Sequence, residues 1–95
     1  MHEMITVEEF CAHHNIETSL IYSLDESGLI TIHRVEHSHY ISFSDLGEAE
    51  KLVRFHTEFG MNLEAIETVT HLLDRLKFMR EEITRLNNRL NFYES

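Results

Sequence analysis

Thr6-Val7-Glu8-Glu9-Phe10-Cys11-Ala12-His13-His14-Asn15-Ile16, continuing to Asp25-Glu26-Ser27-Gly28-Leu29-Ile30, holds two short helical periods separated by a turn. Thr6 is a residue that caps helices, and Glu9, three positions on, can reach back to close a capping box. Val7, Phe10 and Cys11 follow at i, i+3, i+4, the spacing that puts them on one helical face. Asn15 tolerates left-handed backbone, so the first helix should stop near His14-Asn15. A second helix is predicted over residues 16–26. Ile16, Leu20, Ile21 and Leu24 form its buried stripe, and Gly28 suits the position just past its end. Two short helices joined by a tight turn predict a helix-turn-helix.

Downstream the period changes. Leu29, Ile30 and Ile32 precede a polar run, and Tyr40-Ile41-Ser42-Phe43 is rich in strand formers, which predicts a small β-hairpin. Ser44 can cap a third helix with Leu46, Ala49, Leu52, Val53, Phe55 and Phe59 as its apolar positions, and Gly60 breaks it. From Asn62 to about Phe92 nothing interrupts a helical pattern and proline is absent throughout. About 30 residues at ~1.5 Å each make a rod of roughly 45 Å, longer than so small a domain can bury.

The rod's spacing suggests how it is covered. Leu72, Leu76, Met79, Ile83, Leu86 and Leu90 step by 4, 3, 4, 3 and 4, the seam of a coiled coil. Leu63, Ile66, Val69, Leu73 and Leu76 trace a slightly rotated stripe, suited to a helix that packs first on its own domain and then on a partner helix. Arg75, Lys77, Arg80, Arg85 and Arg89, with Asp74, Glu81 and Glu82, read as a solvated, salt-bridged flank. The organisation expected is therefore a domain over residues 1–60 and a long dimerising helix over residues 61–95, giving a homodimer.

Charge is uneven along the chain. Residues 1–59 hold three basic residues against eleven acidic ones, a net of −8, whereas residues 60–95 hold five against six. Such a domain repels a phosphate backbone and steers basic protein surfaces towards itself. No apolar run approaches the ~18 residues of a membrane span, and the lone Cys11 cannot form an internal disulfide, so a reducing, cytoplasmic setting is expected. No nucleophile–base set and no phosphate-cradling glycine loop is present, so neither catalysis, a cofactor nor a small-molecule substrate is expected.

Eight histidines is a high count, and His33, His37 and His39 cluster in the expected hairpin. Three imidazoles can bind a transition metal, yet these lack a nearby cysteine and a helical i, i+4 pair. Titration in mild acid, partly neutralising the acidic surface, is the favoured role, and no metal site is assigned. Cys11 falls on the apolar stripe of the first helix and reads as a small core residue.

The order helix, turn, helix, wing, helix, long terminal helix resembles the MerR-like winged helix-turn-helix class. Asn15-Ile16 through Gly28-Leu29-Ile30 aligns without a gap to that class, and the likeness continues at Arg34, at Tyr40 to Phe43, at Asp45 and at Gly60-Met61-Asn62-Leu63-Glu64-Ala65-Ile66. The resemblance implies a mainly α fold: a winged helix-turn-helix with a small β-hairpin wing and a long C-terminal coiled-coil helix. DNA-binding members carry basic residues and a tyrosine on the second helix and an arginine in the wing. Here the equivalent positions are Ser19, Tyr22, Ser23 and Ile41, so DNA is not expected as a partner.

One branch of the class, the CbpM-like chaperone modulators, shares the acidity and the loss of basic residues. The resemblance to it rests on Phe10-Cys11, Tyr40-Ile41-Ser42-Phe43 and His71-Leu72-Leu73-Asp74. It implies binding to the J-domain of a DnaJ-like co-chaperone; on charge complementarity, Glu17, Asp25, Glu26 and Glu36 are expected to form a patch facing that domain's basic helix and to inhibit it by occlusion. The competing expectations are a MerR-like DNA-binding transcriptional regulator and a purely structural oligomerisation module.

Overall fold

Local capping chemistry cuts the N-terminal half into short elements, and their ends fix the fold. The structure, a computed structural model, describes residues 3–94. In chain order these form β1 (Met4–Thr6), α1 (Val7–His14), α2 (Thr18–Glu26), β2 (His33–Val35), β3 (Ser38–Ser42), a 3-10 turn (Phe43–Asp45), α3 (Leu46–Phe59) and α4 (Leu63–Glu94).

Thr6 starts α1 by accepting the Glu9 amide at 3.0 Å, and its hydroxyl donates back to the Glu9 carboxylate at 2.9 Å. This is a variant of the expected box, in which Glu9 meets the Thr6 side chain. Asn15 takes left-handed backbone, φ 55°, and closes α1 with the Asn15 amide on Ala12 O and the Ile16 amide on Cys11 O. That paired pattern is a Schellman end. Gly28, φ 77°, repeats it after α2, with the Gly28 amide on Asp25 O and the Leu29 amide on Leu24 O. At both ends positive φ turns the chain without leaving carbonyls unsatisfied.

Four features differ from the sequence reading. α2 begins at Thr18, two residues late, because Ile16 is used to close α1. Ser44 does not cap α3: Ser42, at the end of β3, accepts the Ser44 amide at 3.3 Å and starts the 3-10 turn, from which α3 grows at Leu46. The sheet also has a third strand. β1 pairs antiparallel with β3 in the register Met4↔Ser42, Ile5↔Ile41, Thr6↔Tyr40, giving the order β1-β3-β2. β3 thereby becomes the central strand, which is why Ile41 is fully buried. Leu29 to Ile32 form no strand; Ile30 and Ile32 reach the core from the loop between α2 and β2.

The core gathers Val7, Phe10 and Cys11 of α1, Ile21 and Leu24 of α2, Ala49, Leu52 and Val53 of α3, and Ile41. Burial pushes the Cys11 thiol above its ordinary range, keeping it protonated and a poor nucleophile. The core extends past Gly60: Ile66 is fully buried, so the first turns of α4 belong to the domain. Asn62 starts α4 by accepting the Ala65 amide at 2.9 Å. Phe59, expected in the α3 stripe, is instead exposed beside Gly60.

Beyond Thr70 the helix leaves the domain, and all residues from His71 to Leu90 are exposed apart from the half-buried Glu82. Its 32 residues rise ~48 Å, most of the molecule's 58 Å length. The rotated stripe therefore beds on the domain only as far as Val69; Leu73 and Leu76 are exposed. The expected salt-bridged flank reduces to one ion pair among the described residues, Arg85 to Glu82 at 2.7 Å.

Candidate functional site

The acidic residues singled out in the sequence fall on or near α2 and the β2–β3 hairpin, which pack into one face. Here that face is built by ties running from α2 onto the β2–β3 hairpin. Tyr22 and Asp25, three residues apart, share one side of α2. Arg34 and His39 are directly cross-strand, and so project from one face of the hairpin. The two pairs meet: Tyr22 Oη hydrogen-bonds His39 Nδ1 at 2.7 Å, and Arg34 donates to Asp25 Oδ2 at 3.2 Å. Asp25 Oδ1 also accepts the backbone amide of Ile32 at 3.0 Å.

This clasp redefines Asp25. Its side chain is 18 % exposed and both oxygens are engaged, so it holds the wing to α2 and offers no free carboxylate to a partner. The other three acidic residues singled out in the sequence are exposed. Glu17 stands at the cap position that opens α2. Glu26 ends α2, nine residues and ~13 Å further along the axis. Glu36 sits at the hairpin tip with φ 57°, a conformation usually left to glycine or asparagine. The four residues thus do not form one cluster; three carboxylates are spaced along the α2–wing face and the fourth braces it.

The domain's cations are all occupied. Arg34 is paired with Asp25, Lys51 with Glu48 at 3.0 Å and Arg54 with Glu58 at 3.5 Å. The histidines of the wing are dispersed: His33 pairs with Tyr40 on the opposite face of the hairpin from His39, and His37 lies in the turn. Among the described residues no set of three His, Cys, Asp or Glu side chains is placed to hold a metal.

Sequence reasoning missed an open cleft of about 780 Å³ at the start of α2. His14 at the end of α1, Asn15 and Ile16 of the turn, Glu17, Ser19, Leu20 and Ser23 of the α2 region, and His56 and Thr57 of α3 line it. The exposed Ser19 and half-buried Leu20 alternation on α2 hinted at a polar-rimmed apolar floor, but the α3 wall comes from residues far along the chain.

The model for the MerR HTH family of regulatory proteins matches residues 5–88. The chain belongs to this family. The match spans both the winged domain and most of α4. The comparison with curated proteins returned no match. On the MerR-type frame, Tyr22, Asp25, Arg34 and His39 tie α2 to the hairpin, while Glu26 and Glu36 stay exposed. Among the described residues no helix is long and apolar enough to cross a membrane.

Proposed function

We propose that this MerR-family protein regulates by binding protein, as a modulator of a DnaJ-type co-chaperone whose J-domain it covers with the acidic α2–wing face. The observation that carries this reading is the pairing of every Lys and Arg of the winged domain: Arg34, Lys51 and Arg54 each have an acidic partner. Lys and Arg contacts to phosphate supply most non-specific DNA affinity, and a domain whose three such residues stand paired among eleven carboxylates has little to give. The same face presents Glu17, Glu26 and Glu36 to solvent, and a basic helix is the complementary partner. Glu36 adds a specific hint, because non-glycine residues at positive φ cost about 1 kcal/mol, a strain tolerated more readily where the side chain has a task.

The six seam residues of α4, Leu72, Leu76, Met79, Ile83, Leu86 and Leu90, are each 53–58 % exposed in the single chain. A continuous apolar seam of this length favours a partner helix, and pairing of two copies through it is part of the same proposal.

Calorimetric titration with an isolated J-domain at low and high salt, with random duplex DNA in parallel, tests the reading. Salt-sensitive binding to the J-domain without DNA binding is the expected result. Family membership favours the second reading, a DNA-binding transcriptional regulator, and duplex binding without J-domain binding would establish it in place of the first.

A further inference from the structure

We infer that the cleft between the start of α2 and the end of α3 is a receptor for one lysine or arginine side chain of a helical partner. This deepens the protein-binding reading and rests on it. The chemistry of the walls points to a cation. His56 Nδ1 lies 2.9 Å from Met61 O, and a carbonyl can only accept, so Nδ1 donates, and the tautomer protonated there has Nε2 as an acceptor. The Thr57 hydroxyl donates to Val53 O at 3.0 Å, which leaves its oxygen lone pairs for an incoming donor. Ser19 donates to the Glu17 carboxylate at 3.4 Å and is likewise left with lone pairs to offer.

The charge balance agrees. No Lys or Arg lines the cleft, and its one carboxylate is the exposed Glu17. The C-terminal end of the α3 dipole adds negative potential on one wall, while the positive end of α2 on the other is offset by Glu17. Ile16 and Leu20, half-buried against the core, supply apolar surface along which a long aliphatic stem can lie with its charged head at the acceptors. An anionic ligand would find one helix N-terminus but also the Glu17 carboxylate and a wall of acceptors. A purely apolar side chain would leave those acceptors desolvated and unpaired.

Titration of the full chain with an isolated J-domain, using Glu17→Gln and Thr57→Trp, tests the inference. Glu17→Gln removes the charge at constant shape, and Thr57→Trp fills the cleft from an exposed helical position; far-ultraviolet dichroism checks that both fold. Each should weaken binding about tenfold or more, with the salt dependence reduced in Glu17→Gln. If the wild-type chain binds the J-domain and both variants bind it equally well, the cleft inference is overturned and the modulator reading stands. If the wild-type chain binds no J-domain, the modulator reading is overturned, and a synthetic amphipathic helix of Lys and Leu then judges the cleft alone. Amide shifts at Ser19, Leu20 and Thr57 on adding that helix support the cation receptor. Shifts confined to other faces, or shifts at these amides produced by inorganic phosphate instead, overturn it.

Discussion

The winged domain and the rod beyond Thr70 are made of the same helix-forming residues but stand in opposite relations to water. In the domain, short elements from both ends of the sequence close on one another: β1 pairs with β3 across more than thirty residues, and Ile66 of α4 completes a core begun by Val7. In the rod, Leu72 to Leu90 bury nothing within the chain. The difference teaches where stability resides. The domain holds its fold by contacts within one copy, whereas the rod gains little within the chain beyond its own helical hydrogen bonds. Mutations should therefore separate the two regions by the kind of measurement they disturb.

The largest effect is expected in the core. Phe10 is almost fully buried between α1, α2 and the sheet, and Phe10→Ala removes apolar surface and leaves a cavity. A loss of about 3–5 kcal/mol in urea unfolding, independent of protein concentration, is the expected outcome. A loss below about 1 kcal/mol would mean that the core is not the tightly packed unit it appears from burial.

Ile83→Asn reverses that signature. Ile83 is 58 % exposed in the single chain, so the domain's own unfolding should not change. In a paired seam the same substitution buries an amide where a branched apolar side chain packed, and self-association should weaken at least about 30-fold. Sedimentation equilibrium reads this directly; unchanged association would remove the seam from the interface and break the contrast between the two regions.

How much of this was legible in sequence follows the same division. Helix ends whose chemistry is local could be read directly: Thr6 with Glu9, Asn15, Gly28 and Gly60 each act within a turn, and the heptad steps of the rod need no tertiary context. Non-local choices could not. Ser42 and Ser44 are equally good caps by type, and only the pairing of β3 with β1 decides that the strand runs to Ser42 and the turn starts there. Asp25 looked like surface charge because its partners, the Ile32 amide and Arg34, come to it only when the hairpin folds back on α2. The cleft was hidden for the same reason, since His56 and Thr57 reach Glu17 only through the packing of α3.

The clasp supplies a smaller effect that tests this reassignment of Asp25. Asp25→Ala strands the Ile32 amide and breaks an ion pair whose arginine is largely exposed, so most of the cost is the lost backbone acceptor. About 1–2 kcal/mol of domain stability should be lost. Glu26→Ala, at the exposed end of the same helix, should change stability by less than about 0.5 kcal/mol. Equal small effects from both would return Asp25 to the solvated surface.

The smallest expected change lies at the border between the two regions, and its sign is its value. Thr70 is the last buried residue before α4 leaves the domain, at 8 % exposure, and its hydroxyl has no hydrogen-bond partner. Thr68, two residues earlier, shows the usual solution, donating to Glu64 O at 3.0 Å; Thr70 does not turn to the carbonyl one turn back. A buried hydroxyl left unpaired costs free energy that an apolar group of the same shape does not. Thr70→Val keeps the β-branched shape and should stabilise the domain by about 1 kcal/mol, read as a raised urea midpoint at unchanged slope. Destabilisation instead would show that the hydroxyl is satisfied by a group the single chain does not contain, as a second copy paired along the proposed seam would supply.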